Sequence, residues 1–450
     1  MGLVAELKHG LLSARSAVFY YFMLEGYFNA VWSVYLPLQQ TELGLSDSLI
    51  GAASLFNYGG QVLSTLATAP FLRRMEARNV VITGALLFCC SMFLIPMAHS
   101  FTTLCLVFAF FGITEGIMDV SMNANAVLTE TVAERPLLGT YHGSYSVAAA
   151  LGGLIGGAFV YRDFAQQVTY SISGAVGIAL ALVSYLQLYS LTVERELTAS
   201  YPQTAPLPQP DSLAPTAAYS SIPAESTGDK QQNEKPTTSP LILLASVGFL
   251  AAAGEGAVVT WVTIWFTRSF SSAPGGLYSI GFTCFMSSMA LGRFCCDALR
   301  QLVGRRTMFK CAGLLACGGV CIIALAPSTL PEPTSLFVAC FGCCVTGLGL
   351  STLMPTVFSS AGHLPNVHPG TAISRVAFWT YAGSIVSPPL IGALSDAFDS
   401  LQLGFIVLAA LLFLITPLGS RVPPEPQRGG AGGNKIDVEA MTTPLLPAQH

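Results

Sequence analysis

Glu115, Asp119 and Asn123 stand four residues apart in a stretch of otherwise apolar sequence. At helical pitch this spacing places two carboxyl groups and an amide in one row on one face. Two further carboxyls, Glu25 and Glu255, lie in other apolar stretches. A charged carboxylate near the centre of a bilayer costs roughly 2.5–3.5 kcal/mol even on lenient insertion scales. Lipid gives such a group no use, so a protein-lined polar cavity must. Neighbouring carboxyls in a low dielectric cannot both stay ionised cheaply. Each can therefore take up a proton on one side of a membrane and release it on the other as its hydration changes. Glu25, Glu115, Asp119 and His142 are the candidate proton carriers. Two of them have structural alternatives: Asp119 bridging to Asn123, and His142 as a hydrogen-bonded ring between helices.

Glu25 shares its helical face with Asn29 and Trp32, at i, i+4 and i+7. A tryptophan offers a sugar ring an apolar plate with one donor. Glu255, with Trp261 and Trp265 further along, gives a comparable set, and Asn57 and Gln61 are four apart on another stretch. The candidate substrate-binding residues are Asn29, Trp32, Asn57, Gln61, Asn123, Glu255 and Trp261. Trp265, near a helix end, reads as part of an interfacial aromatic belt. No lysine or arginine is expected deep in the cavity, which argues against an anionic substrate. Arg375 is expected to snorkel to an interface.

The elements that must position these groups follow from composition. The 450 residues are 52% hydrophobic and only 10% charged, against about 25% charged in soluble domains. Mean hydropathy is +0.60. About 20 apolar residues span a bilayer core. Twelve stretches qualify: 16–37, 48–70, 79–97, 101–127, 138–160, 168–191, 240–267, 275–298, 307–327, 334–360, 370–395 and 401–418. Placing both termini on one side puts eighteen lysines and arginines there, Arg293 among them. Only Arg162 and Arg268 remain opposite. The positive-inside rule makes the crowded side cytosolic. The first apolar run is too long for a cleaved signal peptide. Residues 192–239 and 419–450, rich in Pro, Ser, Thr and Gly, are expected to be a disordered cytosolic linker and tail. They frame two six-helix halves, 1–191 and 240–418. Leu445-Leu446 lacks the acidic residue of a dileucine sorting signal and reads as plain tail.

Other chemistries find no support. The Cys340–Cys343 spacing has no second pair or histidine at ligand distance, and all twelve cysteines read as small packing residues in apolar segments. No metal or cofactor is expected. There is no phosphate-binding Gly-x-x-x-x-Gly-Lys-[Ser/Thr], so neither ATP drive nor an enzyme is indicated. The net charge of −4 and the lack of a basic patch exclude a nucleic-acid partner.

The halves repeat one another. An offset of 230 carries Glu25-Gly26 onto Glu255-Gly256, Ile50-Gly51 onto Ile280-Gly281, Phe111-Gly112 onto Phe341-Gly342, and Ser121 onto Ser351. Gly152 meets Gly383 one residue later. This implies a duplicated six-helix unit with parallel repeats. After span 8 come Gly292-Arg293, Asp297 and Gly304-Arg305-Arg306. With the repeat, this loop makes residues 16–418 resemble the major facilitator superfamily. The resemblance implies a gating loop with Asp297, Arg305 and Arg306, although Asp297 and Gly304 stand wider apart than usual. The loop after span 2 keeps Arg73-Arg74 and Arg78 but has no aspartate. Glu115-Gly116, Asp119, Asn123, His142-Gly143, Tyr381-Ala382-Gly383 and Pro388-Pro389-Leu390-Ile391-Gly392 are similar to the fucose-permease-like sugar–proton symporters. That likeness implies coupling acids on spans 1 and 4.

The expected protein is an all-α, twelve-helix secondary transporter working by alternating access. Its expected role is proton-coupled symport of a small polar solute such as a hexose. It is expected to be a monomer in the plasma membrane or an organelle membrane. Two other readings stay open: a proton-driven exporter of cationic amphiphiles, and a non-transporting sensor or scaffold with the same fold. The glycines at 152–153 and 156–157 are expected to let another helix approach closely. Pro388-Pro389 is expected to kink span 11.

Overall fold

A computed structural model describes residues 2–72, 74–133, 137–189, 238–270, 275–362, 364, 367 and 369–422. Side chains at 2–12, 69, 131, 238–239, 297 and 369–370 lie outside this description. So do most of the expected linker and tail, Leu445-Leu446 and Arg73.

The described residues form helices and turns, without strands. α1 is Gly2–Glu42, α2 Asp47–Leu72, α3 Ala77–Leu94, α4 Phe101–Ala133, α5 Leu138–Tyr161, α6 Gln166–Tyr185 and α7 Thr238–Ser269. A helical run Ile280–Thr329 is broken only at Gly304, giving α8 (280–303) and α9 (305–329). α10 is Thr334–Gly362, α11 Pro369–Phe398 and α12 Leu401–Arg421. Their ends are fixed locally. Ser100 and Thr103 cap α4 reciprocally, through Thr103 N to Ser100 Oγ at 3.2 Å and Ser100 N to Thr103 Oγ1 at 3.0 Å. The Glu130 carboxylate accepts Leu137 N at 2.5 Å and Leu138 N at 2.7 Å, anchoring the start of α5 to the end of α4.

The expected loop over 299–306 is a correction. The chain stays helical through it and turns at one residue, Gly304, with φ 74° and ψ 154°. Side-chain-bearing residues essentially do not adopt that conformation. The linker and tail bounds also shift, because Thr238 opens α7 and α12 runs to Arg421.

Eight described helices are long and apolar enough to cross a bilayer by length and composition alone. The seam between α1–α6 and α7–α12 brings together α1, α2 and α5 from one half and α7, α8 and α11 from the other. At the seam α2 packs on α11 and α5 on α8. Duplication is visible in these contacts. Gly26 of α1 abuts α5 at Tyr145, and its counterpart Gly256 of α7 abuts α11 at Ser384. Ser33 Oγ lies 3.2 Å from Thr263 Oγ1 and donates to Val259 O at 2.7 Å. Ser33 and Thr263 are 230 apart, the repeat offset, so the pseudo-twofold axis passes between them. The α5 glycines serve two neighbours, Gly152 facing Ala30 of α1 and Gly153 facing Thr283 of α8.

Candidate functional site

A cavity of about 260 Å³ opens between the halves. Along one wall, α1 and α4 supply Glu25, Asn29, Glu115, Asp119 and Asn123. Asn29 Nδ2 donates to Glu115 Oε1 at 2.7 Å and to Glu25 O at 3.2 Å. The Glu25 carboxyl adjoins that of Glu115. Asn123 Nδ2 donates to Asp119 Oδ1 at 2.9 Å and to Asp119 O at 2.8 Å. The i, i+4 row thus forms the amide–carboxylate contact that its spacing allows. α2 adds Tyr58 and Gln61, and α5 adds His142 and Tyr145. The His142 ring stands edge-on to Phe22, with centroids 5.0 Å apart. Its Nε2 is buried without a hydrogen-bond partner. The opposite wall carries Glu255, Arg293, Tyr381 and Ser384.

Arg293 is the main correction. Expected as an anchor on the crowded side, it points into the cavity. Its Nη2 donates to Glu255 Oε1 at 2.9 Å and its Nη1 to Ser146 Oγ at 2.7 Å. The guanidinium carbon sits 5.9 Å from the centre of the Tyr145 ring. The expectation of no deep arginine in the cavity is overturned.

Three other expected binding residues do not line the cavity. Trp32 is fully buried among Phe108, Phe111 and Tyr58. Trp261 is fully buried and donates to Pro388 O at 3.2 Å. Asn57 is buried against α4 at Gly112. The tryptophans are thus used to pack neighbouring helices, Trp32 against α2 and α4 and Trp261 against α11. Trp265 is no belt residue either, as it is buried with Nε1 donating to Ile323 O at 3.0 Å. Arg375 is exposed, as expected of an interfacial residue. Of the gating-loop residues, Arg305 is buried and Arg306 Nε donates to Val422 O at 2.6 Å; the Asp297 side chain lies outside the description.

Tyr58, Tyr145, Tyr381 and Arg293 are cavity residues that the sequence reading did not assign. Tyr145 stands one turn after His142, a signal that was there to be used. The cavity extends past Leu138, Gly139, Met354 and Pro355, toward the end of the bundle that carries the α4–α5 and α10–α11 connections.

The other end, where α1 turns into α2, is shut. Asp47 receives Arg268 Nη1 at 2.7 Å, Gln40 Nε2 at 2.7 Å and Ser395 Oγ at 2.5 Å. Asp396 accepts Asp47 N at 3.0 Å and Ser48 N at 2.8 Å, capping α2 from the other half. Burial by itself would raise the Asp47 pKa, but the bonds from Arg268, Ser395 and Gln40 outweigh it and hold the carboxyl below its usual value. Asp396 is also lowered: slight burial acts against bonds from Ser48, Ser46 and the backbone at 47–48, and the bonds prevail. Below this clamp a Cβ on Gly51 would come within 2.7 Å of Pro388 O, so the two halves touch backbone to backbone.

A two-half helical bundle with a polar cavity at its seam defines a membrane carrier. The family model of the Major Facilitator Superfamily matches residues 17–363 and again 244–442. The chain belongs to that superfamily and is a multi-pass membrane transporter. An uncharacterized MFS-type transporter of Yersinia pestis is 24% identical over 400 residues, covering 88% of this chain and 92% of that protein. The membrane protein MosC of Rhizobium meliloti is also 24% identical over 400 residues, covering 89% and 86%. Among solved structures, a point mutant of the nucleoside transporter NupG superposes with a TM-score of 0.67 at 13% identity, over 91% of this chain and 98% of that one. A bacterial homologue of the human lysosomal transporter Spinster, inward-facing and unoccupied, gives 0.66 at 14% identity over 92% and 97%.

Proposed function

We propose that this chain is a proton-coupled symporter of a small polar solute, with a hexose-like compound as the first class to test. The observation that carries the reading is the shared cavity: Glu25, Glu115, Asp119 and Glu255 come from three helices and both halves, and all reach one chamber. Glu25, Glu115 and Asp119, with His142 beside them, are the coupling groups. Two carboxyls in contact share a hydrogen bond only when one carries a proton, so the Glu25–Glu115 pair is a natural loading point. Asn29, Gln61, Asn123 and Glu255, with Tyr58 and Tyr381, offer hydrogen bonds and ring faces to a hydroxyl-rich ligand. The chamber is slightly smaller than the roughly 300–1,000 Å³ of drug-sized sites. That favours a small solute over a bulky cationic amphiphile.

In this reading α1–α6 and α7–α12 rock as bodies about the Ser33–Thr263 crossing, and both termini are cytosolic. The described state is then cytosol-facing. One chain holds the complete chamber, so a monomer suffices. Uptake into proteoliposomes under an imposed inward proton gradient, screened over hexoses, organic cations and amino acids, tests the proposal. Gradient-driven accumulation of one neutral or acidic polar solute is expected. Solute movement indifferent to the pH gradient would overturn proton coupling. Export of cations against it would install the exporter reading.

A further inference from the structure

Arg293 and Glu255 form a pair that stability alone does not explain. Withdrawing two charges from water costs several kcal/mol per ion, and apolar packing usually does as well. The duplication sharpens the point. Glu25 and Glu255 are equivalent positions, yet Glu25 meets carboxyls on α4 and feels Arg293 only at a distance, while Glu255 bonds that α8 guanidinium directly. One wall is built from acids and amides; the other presents a cation held by an internal anion.

We propose that the carried solute bears one carboxylate on a polyhydroxylated skeleton, and that this carboxylate seats on Arg293 in place of Glu255. The proposal rests on the symport reading above and names its substrate class. Arg293 is the sole lysine or arginine among the described residues lining the cavity. A guanidinium has five N–H donors in a fork that fits a carboxylate with two parallel bonds, and its contacts to Glu255 and Ser146 leave donors over. Of the two side chains Glu255 is the more open, 23% exposed against 13% for Arg293, so the internal anion is the partner that a ligand displaces. The Tyr145 ring, its centre 5.9 Å from the guanidinium carbon, stands at the outer limit of a cation–π contact.

The coupling proton is the one loaded at the Glu25–Glu115 pair. A carboxylate and a proton then cross together, and the cycle moves no net charge. The groups around Glu255 agree with this. Arg293 faces it from α8, Tyr58 from α2, and Tyr145 from α5. Elsewhere in the chamber stand His142, also on α5, and Tyr381 on α11. Glu25 of α1 and Glu115 and Asp119 of α4 complete the set; they repel an anion unless they carry protons. Carboxylate binding therefore strengthens as pH falls, while the ligand itself stays ionised above about pH 5.

The test uses the full-length protein in proteoliposomes, with radiolabelled glucuronate and glucose as probes. Wild type is compared with Arg293→Gln, Arg293→Lys and Glu255→Gln, each checked for a monodisperse elution profile. Glucuronate is expected to enter under an inward proton gradient, with a rate unchanged when a potassium–valinomycin potential is imposed. Glucose should enter at least about tenfold more slowly. Arg293→Gln should reduce the glucuronate-to-glucose preference by about tenfold or more, with partial rescue by Arg293→Lys. Glu255→Gln removes the competing internal anion and should strengthen glucuronate binding. If glucose enters under the gradient and glucuronate does not, or if Arg293→Gln leaves the preference intact, this proposal falls and the symport reading stands. If neither probe responds to the gradient, this proposal falls, and the symport reading falls with it only when the wider solute screen is also indifferent to the gradient. Should Arg293→Gln not fold, the wild-type response to the imposed potential decides alone, since charge-carrying glucuronate uptake contradicts the scheme.

Discussion

Asn29 joins two carboxyl-bearing helices through one amide, donating to the Glu115 side chain and to the Glu25 carbonyl. Glu115→Gln keeps an oxygen for that amide and deletes the titratable group. One pH unit sustains about a tenfold accumulation at one proton per solute. The variant should accumulate nothing under the gradient and yet retain counterflow exchange; gradient-driven accumulation by Glu115→Gln would exclude Glu115 from coupling. Asp47 and Asp396 make the opposite prediction. Their folded pKa values lie below the ordinary carboxylate value of about 3.9. Groups lowered in this way contribute stability above the ordinary value and lose it only as pH falls through the lowered one. The clamp should therefore stay closed from about pH 8 to about pH 5. Spin labels at Leu45 and Gln402, on either side of the clamp, should report one distance distribution across that range. A longer population appearing near pH 5 would show that acid opens this end.

The helices were legible because bilayer length and apolar composition are properties of a run of residues. A side chain's depth was not. Arg293 sits five residues before the expected end of its span at 298, about 7.5 Å along the axis, within snorkelling reach. The helix actually continues to 303, so the residue lies about 15 Å from its end and must find a partner inside. The row of Glu115, Asp119 and Asn123 was readable because its contacts fall within one helix. Trp32 was misread because its environment is set by rings of α2 and α4, contacts no local spacing contains. Gly304 makes a prediction at this scale. Alanine there must hold a conformation costing about 1–3 kcal/mol, so Gly304→Ala should lower the melting temperature in detergent. An unchanged value would mean that the turn relaxes freely. Gly51→Leu puts a side chain where Pro388 O now lies. It should lengthen the Leu45–Gln402 distance, and an unaltered distance would show that the seam has room to spare.

Across the whole molecule the two ends of the seam are held differently. One is closed by charge-assisted hydrogen bonds and backbone contact, and the chamber extends toward the other. Asp47→Asn with Asp396→Asn removes the clamp's charge while keeping its shape. The double variant should populate a state opened at the clamped end, read as a second, longer Leu45–Gln402 distance. A single short distance in both proteins would assign the closure to helix packing.

Ser33 and Thr263 occupy one position in two copies of a single ancestral unit, and they touch. A contact between equivalent positions is the kind that two separate six-helix chains could make with each other as well as two halves of one chain. A gene cut within 192–239 and expressed as two fragments should then rebuild a working carrier without any covalent tie.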